Sequence, residues 1–240
     1  MHTSTPTDSQ PQLAPNLAAE RQEPFLRIHA LEVDGPRGRV FGPISAESSS
    51  PVTVVLGASG SGRTSLLLTI AGRMRASRGG LETLGEAGTG AIRSTTGIAG
   101  FAGIDDLEPA VTLAATLRER LSWELAWWRR TPRVTEAVAS ELLAPAFGVV
   151  RNANRISQPD TALLCRELSP ADDLLVRIAL ALIARPELLV IDDLDALRDP
   201  EHRERVADRV REIATHTPVV IATSDPRDVA LFGAPSVINL

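Results

Sequence analysis

Lysine and tyrosine are absent from the 240 residues, so all 25 basic side chains are arginine. So uniform a replacement has the look of a coding bias, which is a bland source for any single arginine. The one cysteine, Cys165, excludes an internal disulfide and a cysteine-built metal cluster, and reads as a small buried apolar residue. The four histidines, His2, His29, His202 and His216, have no metal-ligand spacing. Positive charge is not in excess: a net charge of −5 gives no reason to expect nucleic acid as a partner. No apolar run approaches the roughly 18 residues that cross a bilayer. The longest, residues 174–191, is broken by Arg177, Arg185 and Glu187. The first 24 residues also lack the apolar segment of a secretory signal, so a cytoplasmic protein is expected.

What is present is a hydrophobic share of 43%, enough for one large core or a core with a smaller inserted unit. Residues 1–24, rich in Pro, Gln, Ser and Thr, read as a disordered polar tail, and residues 25–240 as the folded domain. Strand-like stretches stand at 25–35, 51–57, 95–103, 187–193, 217–225 and 236–240, with a loop expected between the first two. Helical periodicity follows the second, where Leu66, Ile70 and Met74 recur on one face, and returns at 170–184 and 200–214. On the last of these, Val206, Val210 and Ile213 face inward. Residues 106–168 are mostly helical and read as an inserted lobe, with one amphipathic run extending to about Pro132. Strands alternating with helices predict an α/β fold with a mostly parallel sheet.

Trp123 and Trp127 share a helix face, with Trp128 beside them. The expectation is lobe core packed against residues 139–150, and the alternative is a groove for a partner's helix. Arg129, Arg130 and Arg133 read as a solvated helix end.

The chemistry centres on "GASGSGRTS", Gly57 to Ser65. Glycines at 57, 60 and 62, between a strand and a helix, let main-chain N–H groups turn inward as a phosphate nest under the helix's positive end. Thr64 supplies a hydroxyl for Mg²⁺, while Arg63 stands where such loops carry lysine and is bulkier and forked. The bland alternative is a glycine turn with no ligand. In "LLVIDDLD" an apolar strand ends in Asp192, at the edge where nucleotide-bound Mg²⁺ would sit.

With these two motifs, and with "LSPAD" (168–172), "ARPELLVIDD" and "ALRDP" at the right spacing, residues 25–240 resemble the ATP-binding cassette (ABC) ATPases that drive transporters. The resemblance implies a P-loop NTPase fold with an inserted helical subdomain, ATP and Mg²⁺ as ligands, and nucleotide contacts from Gly57, Ser59, Gly60, Gly62, Arg63, Thr64 and Ser65. It also implies metal binding by Thr64 and Asp192, and signature contacts from Leu168, Ser169 and Asp172. Its catalytic positions fall on Asp193, where the family has glutamate, and Ser224, where it has histidine. Gly103 stands for a glutamine, Asp199 matches an aspartate loop, and the one aromatic near the adenine position is Phe41.

Read physically, Ser169, Pro170 and Asp172 make a good helix start rather than a phosphate clamp, because Pro170 removes a donor and Asp172 and Asp173 add negative charge. The expected function is an ATP-binding subunit, peripheral on the inner face of the membrane. It would dock on a separate integral membrane permease, dimerise with itself or another ABC ATPase, and hydrolyse ATP weakly or with a partner's help. The rival expectation is a catalytically dead scaffold or regulatory subunit.

Overall fold

The computed structural model describes residues 23–126, 128–148 and 158–240. Residues 1–22 of the expected tail, and Trp127, lie outside these. Among the described residues, eight strands form two sheets. β3 (Val52–Leu56), β5 (Thr96–Ala99), β6 (Leu188–Ile191), β7 (Val219–Thr223) and β8 (Ser236–Asn239) make an all-parallel sheet in the order β5-β6-β7-β3-β8. The central strands, "VTVVL", "LLVI" and "VVIAT", are continuous apolar or β-branched runs, as strands covered on both faces require.

Alternation along these strands sorts side chains into two cores. Val54, Leu189, Ile191, Val219 and Ile221 face one way. They pack with α3 (Leu113–Trp123), α4 (Glu136–Phe147), α5 (Pro170–Leu182) and α6 (Pro200–Ile213). Val55, Leu188, Val190, Val220 and Ala222 face the other way, toward α1 (Arg63–Ile70) and the second sheet. That second sheet is antiparallel, in the order β2-β1-β4, from β1 (Leu26–Gly35), β2 (Gly38–Ser48) and β4 (Arg78–Thr83). A short helix, α2 (Thr89–Thr95), precedes β5.

Several expectations change. The loop foreseen between β1 and β3 is β2, which hairpins onto β1 through Gly35 and Gly38. The first helix ends at Ile70, so Met74 is not on it. Gly72 stops it, since its φ of 66° favours glycine and an added Cβ would meet Thr89 O at 2.5 Å. α3 stops at Trp123 rather than near Pro132, so Arg129, Arg130 and Arg133 are exposed but belong to no helix end.

The expectation of lobe core is also overturned for Trp123 and Trp128. Trp123 and Trp128 are 69% and 70% exposed, and α3, which ends at Trp123, buries Leu113 and Leu117 instead. Arg120 stacks its guanidinium 5.6 Å from the Trp123 ring. Cys165 is buried and free, as expected, and α6 buries Val206, Val210 and Ile213.

Within the stretch 106–168, the described α-helices are α3 and α4, with a 3-10 turn at Cys165–Glu167. They share one core with α5 and α6 rather than closing on themselves. The buried Arg209 of α6 reinforces this by donating from Nε to Ala146 O of α4 at 2.8 Å.

Candidate functional site

Parallel strands β6, β7 and β3 are neighbours, so their C-terminal ends deliver Asp192, Ser224 and Gly57 to one edge of the sheet. That edge is where open α/β sheets bind ligands. The loop after β3 is tied to it by Gly57 N–H donating to Thr223 O at 3.3 Å. Within the loop, Ser61 N–H donates to Ala58 O at 3.1 Å. Gly60 and Gly62 take φ of 82° and 93°, a region where side chains are strained.

Gly62 caps α1 with no side-chain hydrogen bond, and no acidic residue stands in the first turn. The first N–H groups of that helix therefore lack an intrahelical acceptor and a carboxylate from their own turn, which leaves the positive end of the helix open to an anion. Ser59, Gly60 and Thr64 are exposed at the mouth of the loop. A Cβ on Gly60 would meet nothing within 4 Å. Beneath the loop, the Ser61 hydroxyl is buried with no hydrogen-bond partner.

Asp192 is 8% exposed, and no side chain among the described residues donates to its carboxylate. An anion nest beside a buried carboxylate with no protein cation fits a Mg²⁺–polyphosphate, whose phosphates satisfy the loop and whose metal satisfies Asp192. Gly57, Ser59, Gly60, Gly62, Thr64 and Ser65 would cradle the phosphates, and Thr64 and Asp192 would face the metal. The bound group would supply the phosphoryl centre on which the family's chemistry acts.

Asp193 sits in left-handed conformation at φ 61°. Although the residue is exposed, partial desolvation of its carboxyl, and then the adjacent Asp192 charge, push it above the usual range. Ser224 is exposed, and its main-chain N–H donates to Asp195 Oδ1 at 2.8 Å.

Asp195 did not figure in the sequence reading. Its Oδ2 holds the Arg63 guanidinium at 2.6 Å, so the loop's cation is engaged by a carboxylate. Burial alone would raise the Asp195 pKa, but the Ser224 N–H and the Arg63 guanidinium outweigh it and hold it below the ordinary range. The Thr223 hydroxyl lies 2.6 Å from Asp228 Oδ2 and 3.2 Å from Asp195 Oδ1, and its single proton serves the nearer acceptor best. The signal that could have exposed Asp195 was the extra acid in "DDLD", two residues beyond the pair, in a chain whose phosphate loop carries an arginine.

Around Gly103 the chain makes a tight turn at φ 76°, with Gly103 N–H donating to Asp106 Oδ2 at 2.7 Å. Asp105 locks the turn by accepting from Gly100 N–H at 2.9 Å and Phe101 N–H at 2.7 Å. It is itself gripped by Arg177, through Nε at 3.2 Å and Nη2 at 2.5 Å. No local sequence signal could pair two residues so far apart. Phe41 is buried, 4% exposed, and its Cβ would lie 2.9 Å from a Cβ placed on Gly62.

The 168–172 segment is a capped helix start, as its sequence predicts: Ser169 Oγ accepts from Asp172 N–H at 3.1 Å and Pro170 opens α5. The negative charge expected there is partly neutralised, since Arg205 Nη2 lies 2.5 Å from Asp172 Oδ1. Among the described residues, no hydrogen bond or ion pair joins this segment to the phosphate loop. The structure thus brings Gly57–Ser65, Asp192, Asp193 and Ser224 together and leaves Leu168, Ser169 and Asp172 apart.

A separate groove of about 550 Å³ lies between the 104–108 turn, α3 and α5, lined by Ile104, Asp105, Leu107, Trp123, Arg177 and Leu180 among others.

The geometry agrees with comparisons to known proteins. The sequence profile described as ABC transporter matches residues 48–196. The Fe(3+) ions import ATP-binding protein FbpC 3 of Rhodococcus jostii is 29% identical over 228 residues, covering 88% of this chain and 60% of that protein. Nod factor export ATP-binding protein I of Rhizobium etli is 29% identical over 171 residues, covering 71% of this chain and 50% of that protein. The chain therefore spans between half and three-fifths of the length of these relatives.

Among solved structures, an ABC transporter ATP-binding protein from Pyrococcus furiosus superposes with a TM-score of 0.67 at 19% identity, covering 90% of this chain and 96% of that one. A bacterial ABC transporter cassette solved as a dimer gives 0.65 at 16% identity, with coverages of 90% and 94%. These two carry the fold, a P-loop NTPase core of mostly parallel sheet. The profile, running from the end of β2 through the phosphate loop to the acids after β6, carries the identity: the chain belongs to the ABC transporter family.

Proposed function

We propose that the chain is the ATP-binding subunit of a transporter whose membrane-spanning permease is a separate polypeptide, and that it binds MgATP and turns it over slowly or only with a partner's help. The observation that carries this reading is the open N-terminus of α1 beneath the glycine loop, facing the strand end that holds the unpartnered Asp192. Among the described residues no helix is long and apolar enough to cross a membrane. The groove beside the exposed Trp123 is the surface we assign to that permease's helix, at the inner face of the membrane. Because Leu168, Ser169 and Asp172 stand apart from the loop of their own chain, their contribution would be made to a partner cassette, either a second copy or another ABC ATPase.

A second reading, a non-catalytic scaffold, draws on the Arg63–Asp195 pair and the Asp105-locked turn, which complete parts of the site without a ligand. Equilibrium titration of the purified protein with MgATP separates the two. Binding in the micromolar to millimolar range, weakened or abolished by Arg63→Ala and by Asp192→Ala, is expected. No binding at several millimolar ATP would leave the loop as a turn and favour the scaffold.

A further inference from the structure

Arg63 is the one cationic side chain in the stretch Gly57–Ser65, and it does not point to open solvent. Its side chain is 14% exposed and its Nη2 lies 2.6 Å from Asp195 Oδ2. The other oxygen of the same carboxylate accepts the Ser224 N–H at 2.8 Å. One internal anion therefore bridges the loop after β3 and the end of β7, using a guanidinium and a main-chain N–H. That is the kind of donor set which a phosphate oxygen recruits.

The pair also gives Arg63 a reason beyond coding bias. A guanidinium is a planar fork, able to hold Asp195 by one nitrogen while keeping others for a second acceptor, where an ammonium is a single point charge. Asp195 stays ionised through the neutral range, since the groups that surround it hold its pKa down. A polyphosphate entering the loop would meet both effects at once: a cation already engaged, and a fixed negative charge close by.

We propose that Asp195 is an affinity-setting residue of the nucleotide site, an internal anion that competes with a nucleoside polyphosphate for Arg63. The inference rests on the reading of this loop as a nucleotide site. It makes the loop stable when empty and its loading conditional on displacing, or bridging to, Asp195.

The test is calorimetric titration of MgATP into the wild type, Asp195→Asn, Arg63→Ala and the double variant. Asparagine preserves size and keeps an oxygen for the Ser224 N–H. Asp195→Ser, which also keeps an acceptor, serves if the first variant does not fold by circular dichroism. Asp195→Asn is expected to bind MgATP about tenfold more tightly than the wild type, the scale of one charge-assisted contact. That gain should vanish in the Arg63→Ala background, as a pairwise coupling requires. Equal or weaker binding by Asp195→Asn would overturn the proposal and leave the nucleotide reading standing, with the pair acting as a structural strut. A gain that persists without Arg63 would also overturn it. If none of the four proteins binds at several millimolar MgATP, this inference and the nucleotide reading fall together.

Discussion

Asp105 accepts hydrogen bonds from two main-chain N–H groups, of Gly100 and Phe101, and from two nitrogens of Arg177. Burial alone would lower the Arg177 pKa, but Asp105 and then Asp173 and Asp106 reverse this and hold it above its ordinary value. Asp105→Ala would orphan the two N–H groups and leave a nearly buried guanidinium with weaker partners. A loss of about 2–4 kcal/mol in urea unfolding is expected, partly limited by Asp106 and Asp173 nearby. Asp173 responds differently. Burial raises its pKa, Arg177 partly offsets this, and the Asp105 and Asp106 charges add to it. A carboxyl with a raised folded pKa holds its proton more tightly folded than unfolded, so its contribution to stability falls as pH climbs from the ordinary 3.8 through that raised value. Asp173→Asn should therefore compare more favourably with the wild type at pH 7 than at pH 4 in urea melts. An identical difference at both pH values would show that the position in the first turn of α5 compensates the burial.

At the scale of the element, the loop between β3 and α1 contains two glycines with similar backbone and different surroundings. An added Cβ at Gly62 would meet Val40 O at 2.7 Å and Phe41 Cβ at 2.9 Å, whereas at Gly60 it would meet nothing within 4 Å. Both carry the left-handed penalty of about 1–2 kcal/mol, and only Gly62 adds a packing clash of about 1–3 kcal/mol. Thermal unfolding should therefore rank Gly62→Ala well below Gly60→Ala. Trp123, exposed at the end of α3, should tolerate Trp123→Ala within about 0.5 kcal/mol by the same measurement, while pull-down with a permease should weaken.

The same elements show where sequence was legible. Loop, acid pair and Ser224 each lie within a residue or two of the end of an apolar strand, so local pattern was sufficient to place them. β2 was missed because its inward residues, Phe41 and Ser48, are interrupted by Gly42, Pro43 and polar positions. The tryptophans misled because helical spacing says which residues share a face, not which face the core takes. Arg63–Asp195 and Asp105–Arg177 are tertiary pairs, invisible to any window of neighbouring residues.

For the whole molecule, the contacts of Arg209 with α4 and the common core of α3 to α6 make the helical segment continuous with one face of the sheet. On the proposed reading, Asp193 and Ser224, exposed beside the loop, stand where the family would use a glutamate to activate water and a histidine to contact phosphate. Phosphate release from MgATP by the isolated protein should accordingly be about 10²–10⁴-fold slower than that of a variant carrying Asp193→Glu and Ser224→His. Equal rates would mean that something other than these two groups limits turnover.

The order of strands in the parallel sheet has one more consequence, in how the molecule is made. β3 is flanked by β7 and β8, both of which lie far downstream in the chain. The amide of Gly57 finds its acceptor on Thr223, and Arg63 its counter-ion on Asp195. During synthesis at roughly 5–20 residues per second, the phosphate loop emerges on the order of ten seconds before the strands that complete it. Through that interval an apolar strand has no permanent neighbour on either edge. The nascent chain is most exposed to mispairing at the strand that leads into the glycine loop.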